Sequence, residues 1–207
     1  MYLPPHFRED SLDIQHKFMR ENPLGLLVTH SAHGLIADAA PFILDEASGE
    51  FGTLRAHLSR ANPQYKALAE ADECIIIFQG PQAYITPTWY ETKQETGKVV
   101  PTWNYVTVHA WGRPQVMEDP AWLRAQIEAL TTQMESGRTK PWAVSDAPEA
   151  FVQAQMKGIF GIEIPINRIE GKWKVSQNRP EADRLGVIEG LRAEGQEKMA
   201  REVEERG

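Results

Sequence analysis

Cysteine is nearly absent from this sequence, since Cys74 is the only one in 207 residues. One cysteine cannot form a disulfide within the chain, and this favours a reducing compartment, so we expect a cytoplasmic protein. Cys74 leads into the apolar run Ile75 to Phe78, where a free cysteine is usually a small buried hydrophobe. We therefore expect a buried thiol rather than a reactive one.

Long apolar runs are missing as well. None approaches the roughly 20 residues that a membrane-spanning helix needs. The first ten residues, MYLPPHFRED, have neither the basic region nor the apolar region of a secretory signal. We expect no membrane partner and no export.

Positive charge is scarce: 22 Lys and Arg stand against 29 Asp and Glu, for a net charge of -7. Such a balance argues against a surface that holds the phosphate backbone of nucleic acids non-specifically, although a local basic patch would survive the average. No pair of segments reads as a helix-turn-helix with a basic recognition helix. DNA binding would therefore need a basic surface generated by a dimer.

Several catalytic signatures are also lacking. The motifs GxSxG, GxxxxGK[ST] and GxGxxG do not occur, so serine hydrolase, P-loop and Rossmann interpretations have no motif support. Among six histidines no pair has HExxH spacing, and His30 with His33 lacks the cysteines or carboxylates of a zinc site. We expect no metal site, and the residues identify no general acid or base.

The first 117 residues consist mainly of short apolar runs separated by turns. Leu24–Thr29, Leu35–Leu44 and Phe51–Leu58 are joined by short polar turns, which predicts an antiparallel meander because parallel neighbours need long crossovers. Further strands are predicted at Cys74–Phe78, Ala83–Thr86, Tyr105–Met117 and Ile159–Ile164. A polar loop, Pro87–Val99, is long enough to form a lid or an ordered arm.

Helices are predicted at the margins of these strands. They are expected after the cap Asp10 or Ser11 up to Pro23, at Tyr65–Glu70, from Asp119-Pro120 up to Pro141, at Ala147–Gln155, and in the charged tail beyond Pro180. The pattern predicts a mainly β (α+β) fold, in which a small closed or split β-barrel is favoured over a doubly wound sheet. We expect one domain, with residues 1–180 forming the barrel and its inserted helices and 181–207 a C-terminal helical tail.

The segment VPTWNYVTVHAWG, residues 100–112, contains an aromatic strand entrance. In an extended chain Trp103 and Tyr105 share one face, and Asn104 lies on the other. An aromatic face beside an amide suits a planar ligand with polar edges. The alternative is a well-packed end of a sheet.

The segment His57–Gln64, HLSRANPQ, predicts a strand that delivers polar side chains to the start of a helix. Free backbone N–H groups at a helix N-terminus attract anions, and Arg60 adds a forked phosphate contact. The alternative is a capped helix with a solvated arginine.

A second basic segment carries Arg168, Lys172, Lys174 and Arg179 against only Glu170. It could reach a phosphate or another polyanion. The alternative is the solvated face of a hairpin around Glu170-Gly171, with lysine stems lying on Trp173.

Five blocks, in order and nearly end to end, resemble the PaiB family. They are MYLPPHF at 1–7, HLSRANPQ at 57–64, YITPTWY at 84–90, VPTWNY at 100–105 with His109 and Gly112, and GKWKVSQNR at 171–179. The VPTWNY and SQNR blocks are the specific ones. That family is described as FMN-binding negative transcriptional regulators.

The resemblance implies the FMN-binding split β-barrel of the pyridoxamine-phosphate-oxidase-like and flavin-reductase-like proteins, which are homodimers with flavin at the subunit interface. It implies that 57–64 is the phosphate-side loop and that 103–105 contacts the flavin ring. The implied FMN contacts are His57, Leu58, Ser59, Arg60, Asn62, Gln64, Trp103, Asn104 and Tyr105, with Lys172, Gln177 and Asn178 in a further family block.

Three functions follow from this resemblance. The first is a homodimeric regulator that senses flavin or redox state. The second is a flavin-dependent oxidoreductase of the flavin-reductase or pyridoxamine-phosphate-oxidase type, in which FMN transfers the electrons. The third is a haem-handling split barrel, for which a histidine would have to bind iron.

Overall fold

A computed structural model of the chain describes residues 1–32 and 34–206. His33, one of the two histidines weighed for zinc, lies outside the described residues. Over these residues the strands are β1 Arg8–Glu9, β2 Leu24–Ser31, β3 Gly34–Pro41, β4 Ile43–Asp45, β5 Thr53–Ser59, β6 Cys74–Ile85, β7 Thr102–Gly112, β8 Gln115–Met117 and β9 Ile159–Lys174. The α-helices are α1 Leu12–Glu21, α2 Gln64–Glu70, α3 Thr92–Thr96, α4 Pro120–Glu135, α5 Glu149–Met156, α6 Glu181–Ala193 and α7 Glu197–Arg206.

The strands form one sheet in the order β3-β2-β6-β7-β9-β5-β4, and β1 and β8 also pair with β9. The pairs β1–β9, β2–β3, β2–β6, β4–β5, β5–β9 and β8–β9 are all antiparallel. The predicted antiparallel β architecture with helices at its margins is confirmed. The predicted meander is wrong, because β3 pairs with β2 whereas β5 pairs with β4 and β9. None of the helices in the described ranges is both long enough and apolar enough to cross a membrane.

The chain divides into two compact units. The first unit comprises Met1–Gln15, Gln79–Val108 and Glu170–Gly207, and the second comprises His16–Phe78 and His109–Ile169. Strands β6, β7 and β9 contribute residues to both units, and α6 and α7 belong to the first.

The second unit has its core where alternate residues of its strands point inward. Leu27 and Ile76 are opposed on β2 and β6, and Ala56 and Ile162 on β5 and β9, and all four are fully buried. Helix α4 packs on this sheet through Trp122, whose ring occupies the space where a side chain at Gly161 would lie. The alternation that predicted these strands is therefore the alternation of core and outer face.

In the first unit, the predicted loop 87–99 is an ordered segment. It contains a 3₁₀ turn at Pro87–Trp89 and the short helix α3. The buried carboxylate of Asp183 on α6 accepts hydrogen bonds from Thr92 N at 3.0 Å and Thr92 Oγ1 at 2.9 Å. These bonds tie the start of α3 to α6.

Two strands are longer than the sequence indicated. Strand β6 runs unbroken from Cys74 to Ile85 through Gly80-Pro81, where two strands were predicted. Strand β9 continues through Glu170-Gly171, so the alternative of a hairpin around these two residues is wrong. Gly171 lies opposite Glu9 of β1, and a side chain there would come within 3.0 Å of the Glu9 carbonyl oxygen. Glycine here admits a neighbouring strand rather than a turn.

The predicted strand Tyr105–Met117 is divided in two. Strand β7 ends at Gly112 and β8 begins at Gln115, with Arg113-Pro114 between them. Proline has no N–H to donate to a strand partner, which explains the break.

Candidate functional site

The residues that the sequence analysis selected lie in both units. His57, Leu58, Ser59, Arg60, Asn62 and Gln64 belong to the second unit, and Trp103, Asn104, Tyr105, Lys172, Gln177 and Asn178 belong to the first.

The turn between β5 and α2 uses its own backbone donors. Its N–H groups bond within the second unit: Arg60 to Gly158 O at 2.9 Å, Ala61 to Ser59 Oγ at 3.2 Å, Asn62 to Ser59 O at 2.9 Å, Gln64 to Asn62 Oδ1 at 2.8 Å and Tyr65 to Asn62 O at 3.1 Å. Ser59 and Asn62 thus act as caps. The expectation of free backbone donors is not met at this turn, so an anion would depend on side chains there.

Arg60 is the exposed cation of this turn. Its Nη1 donates to Glu118 Oε1 at 2.6 Å, and Glu118 also accepts from the Tyr65 hydroxyl at 3.1 Å. The hydrogen bond from Arg60 is the main reason that the pKa of Glu118 lies below its ordinary value, followed by the bond from Tyr65. A phosphate that binds Arg60 must therefore compete with Glu118.

Asn62 is also paired with an acid, since its Nδ2 donates to Asp38 Oδ2 at 3.2 Å. Asp38 and Glu118 therefore place two carboxylates around the turn. The local electrostatics are therefore mixed rather than strongly positive.

His57 and Gln64 connect this turn to neighbouring elements. His57 Nδ1 lies 2.7 Å from Gln126 Oε1 on α4. The buried side chain of Gln64 accepts from Thr29 Oγ1 at 2.8 Å and donates to Leu27 O at 3.1 Å, so both its polar atoms bond to β2. These two residues hold α2 and α4 in place beside the turn.

A cavity of about 600 Å³ lies beside Arg60 within the second unit. Its lining includes Arg60, Glu118, Leu123, Arg124, Met156 and Lys157. No local sequence pattern predicts this cavity, because its residues come from the β5–α2 turn, α4 and the end of α5.

Asn104 is a buried polar residue of the aromatic strand, with only 1% of its surface exposed. Its Nδ2 donates to Ser176 Oγ at 2.9 Å, while its Oδ1 has no hydrogen-bond partner among the described residues. Ser176 has φ 68°, in the left-handed region that serine seldom adopts. The amide is thus held from one side and keeps an unused acceptor.

Trp103 and Tyr105 flank Asn104 and are more exposed, as the alternation predicted. Trp103 Nε1 donates to Gln82 Oε1 at 3.0 Å, and its ring contacts Tyr84 edge-on at 6.0 Å between centroids. The Tyr105 ring lies 5.2 Å from Lys172 Nζ.

Gln177 shapes the turn that follows β9. Its Oε1 accepts from Val175 N at 2.8 Å and its Nε2 donates to Trp173 O at 2.5 Å, while Asn178 is exposed. Lys172 is buried and donates from Nζ to Tyr2 O at 2.9 Å.

No cluster of three or more His, Cys, Asp and Glu side chains suited to a metal ion is found within residues 1–32 and 34–206.

Sequence comparison matches the chain to a family model and to related proteins of similar length. The model of a family described as "Putative FMN-binding domain" matches residues 1–168. A protein of Emericella nidulans is 40% identical, over all of this chain and 98% of its own. Protease synthase and sporulation protein PAI 2 of Bacillus subtilis is 30% identical, over 94% of this chain and 90% of its own.

Solved structures share the fold at low sequence identity. The FAD and heme binding protein of Mycobacterium smegmatis has a TM-score of 0.60 at 15% identity, covering 81% of this chain and 73% of its own. The flavocytochrome Anf3 of Azotobacter vinelandii has a TM-score of 0.60 at 12% identity, covering 86% and 75%. With the antiparallel sheet, these likenesses confirm the predicted split β-barrel class.

Proposed function

Because this chain belongs to the PaiB family of FMN-binding domains, we propose that it binds FMN as a homodimer and acts as a negative regulator of transcription that senses the flavin. The match of the family model over residues 1–168 is the observation that carries the FMN part of this proposal. Bound FMN would supply one- and two-electron chemistry, and the protein would supply binding and orientation.

The residues around Asn104 fit the edge of a flavin ring. The buried Oδ1 without a partner suits an N–H donor of a planar ligand, since a buried acceptor left unsatisfied is costly. Trp103 and Tyr105 offer aromatic surface on the other face of the same strand. We assign these three residues to the ring.

The β5–α2 turn fits the FMN phosphate through its side chains. Arg60 offers a guanidinium fork, and Ser59 and Asn62 offer a hydroxyl and an amide. The phosphate would take Arg60 from Glu118, which now holds it at 2.6 Å. The remaining proposed FMN contacts are His57, Leu58, Gln64, Lys172, Gln177 and Asn178.

The homodimer is supported by an apolar sheet face in the second unit. Leu26 on β2 lies opposite Ala39 on β3 and opposite Ile77 on β6, and none of the three is buried. Leu24 is 63% exposed on the same face of β2, and Leu35, opposite His30, is 74% exposed on β3. Contiguous apolar surface of this kind marks an interaction site, and we propose a second copy of the chain as its partner.

DNA binding and a cytoplasmic location are parts of the same proposal. With a net charge of -7, the chain would need its dimer to bring basic residues together on one surface. Selection from fragmented genomic DNA should then enrich a shared sequence. Failure to enrich any sequence would remove the regulator from the proposal.

A flavin titration followed by a nicotinamide test decides the function. The absorbance of the purified protein is recorded, flavin-free protein is titrated with FMN by fluorescence, and NADH or NADPH is then added without oxygen. We expect quenching of FMN fluorescence that saturates, and flavin that stays oxidised.

Three other outcomes of these measurements would change the proposed function. Absence of FMN binding would overturn the flavin proposal. Bleaching of the flavin by NADH or NADPH would replace the regulator with an oxidoreductase. A Soret band after addition of haemin would support a haem-handling protein instead.

A further inference from the structure

Three cations of the first unit lie close together near the end of β9. Lys172 and Lys174 are two residues apart on this strand, so their side chains leave the same face. Arg179 follows in the next turn. The pKa of Lys174 lies below its ordinary value, first because burial desolvates it and then because Lys172 and Arg179 repel its charge.

Neutral groups hold these cations. Lys172 Nζ donates to Tyr2 O at 2.9 Å. Lys174 Nζ donates to Thr102 Oγ1 at 2.6 Å and to the carbonyl of Trp103. The Arg179 guanidinium lies 4.5 Å from the centre of the Tyr90 ring.

No carboxylate oxygen in the described part of the chain lies within 4.0 Å of the side-chain nitrogens of these three residues. The acid on the same face of β9, Glu170, accepts from the amino group of Met1. The chain carries 29 acidic residues, so acids are not in short supply. None of these three cations is therefore in a direct ion pair, although the protein as a whole is acidic.

Aromatic rings surround the lysines. Lys172 Nζ lies 5.2 Å from the Tyr105 ring and 5.6 Å from the Tyr2 ring, and Lys174 Nζ lies 5.9 Å from the Phe7 ring. Lys172 is only 7% exposed. A buried ammonium without a counter-charge is unfavourable, because ring faces and carbonyls replace only part of its hydration. An anion bound beside the lysines would lower the free-energy cost of burying their ammonium groups.

We propose that Lys172, Lys174 and Arg179 form a binding site for the phosphate or carboxylate group of an anionic ligand. Each lysine keeps N–H donors beyond those it uses now, and the arginine offers a fork, so an oxyanion would receive several charge-assisted hydrogen bonds. The cations are already gathered and partly desolvated, so little reorganisation is needed. Lys172 is also one of the proposed FMN contacts. The site itself rests on the contacts described here, so the flavin-free protein would bind phosphate even if the chain did not bind FMN.

Calorimetric titration with inorganic phosphate tests the site. The flavin-free full-length protein is titrated in a phosphate-free buffer, beside Lys172→Met, Lys174→Met and the control Lys140→Met, which removes the same charge from an exposed position. We expect each of the first two variants to bind phosphate about tenfold more weakly, the loss of one charge-assisted hydrogen bond. Lys140→Met should bind as the wild type does.

Thermal unfolding provides a second measurement of phosphate binding. It compares the Tm of each protein with and without phosphate, so it does not require the variants to be equally stable. Phosphate should raise the Tm of the wild type more than sodium chloride of the same ionic strength does, and this difference should be smaller in Lys174→Met. Wild-type protein that gives no heat with phosphate, or variants that bind it as well as Lys140→Met, would overturn the proposal.

The anionic group belongs either to FMN itself or to a separate small ligand, and repeating the titration with FMN-saturated protein distinguishes them. Phosphate that still binds identifies a separate ligand. If phosphate no longer binds, and Lys174→Met weakens FMN but not riboflavin, this site holds the FMN phosphate in place of the β5–α2 turn. Phosphate binding without any FMN binding would remove the flavin proposal and leave this site.

Discussion

In the proposed complex, the Glu118 carboxylate and the FMN phosphate would compete for Arg60. Its guanidinium is held by Glu118 at the surface of the second unit. We expect Arg60→Ala to weaken FMN several-fold and riboflavin little, because only FMN carries a phosphate. Glu118→Gln should strengthen FMN binding, because it releases Arg60. Both are measured by fluorescence titration with each flavin.

The matched control for Arg60 is Arg113→Ala, which removes an exposed arginine from the same unit and should leave both affinities unchanged. An equal loss for FMN and riboflavin in Arg60→Ala would contradict the assignment of Arg60 to the phosphate.

Cys74 is buried, as the sequence predicted, and its Sγ donates to Gly112 O at 3.4 Å. Burial, with a smaller effect of Glu73, raises the pKa of this thiol from 9.0 to about 12. Between these values the unfolded chain loses the proton and the folded chain keeps it. The free energy of unfolding should therefore fall with rising pH above 9.0, by about 1.4 kcal/mol per pH unit from this group.

The comparison of wild type with Cys74→Ala in denaturant at pH 8 and pH 10 measures this. The wild type should lose more stability between the two pH values, since other titrating groups are common to both proteins. Equal losses would show that the thiol ionises as readily in the folded chain as in the unfolded one.

Among the helices, α6 contains a close contact that reverses the usual effect of a glycine substitution. A side chain at Gly190 would meet the indole of Trp89, and one at Gly186 would meet the Trp89 carbonyl oxygen. Alanine normally stabilises an exposed helix relative to glycine. Here we expect Gly190→Ala to lower the free energy of unfolding by about 1–3 kcal/mol through overpacking.

Denaturant unfolding measures this change. Gly137→Ala is the control, because nothing lies within 4 Å of a side chain at that position, and we expect it to be close to neutral. A Gly190→Ala protein as stable as the control would show that Trp89 can move away from α6.

Strand β9 shows which features of an element a local pattern can predict. The alternation of Ile159–Ile164 predicted its first half correctly, because each residue is buried or exposed according to its own position. Glu170-Gly171 suggested a turn because glycine is common in turns. The partner that keeps this segment extended is β1, more than 150 residues earlier in the sequence. A window of ten residues cannot contain it.

For the molecule as a whole, the apolar face around Leu26 predicts the oligomeric state. We expect light scattering to give a mass near twice 23.4 kDa for the wild type, and Leu26→Glu to give 23.4 kDa, because a charge would be buried in the centre of the interface. Leu185→Glu is the control: it changes an exposed leucine of α6 in the same way and should remain dimeric. A wild-type mass of 23.4 kDa would contradict the dimer.

The sequence by itself determined the family and many of the local elements. Asp119 before Pro120 predicted the start of α4, and its carboxylate indeed accepts from Ala121 N at 3.1 Å. Such signals depend on residues within a few positions of one another, so they can be read without the fold. The family rests on blocks such as VPTWNY, which are equally local.

Only the tertiary structure decided which polar groups have partners. Arg60 bonds to Glu118, 58 positions away, and Thr92 bonds to Asp183, 91 positions away. It also showed that Lys172 and Lys174 are held by carbonyls, a hydroxyl and ring faces. The charge available to a ligand depends on which remote segments pack beside each side chain, and packing is settled by the burial of the whole core rather than by any short stretch of sequence.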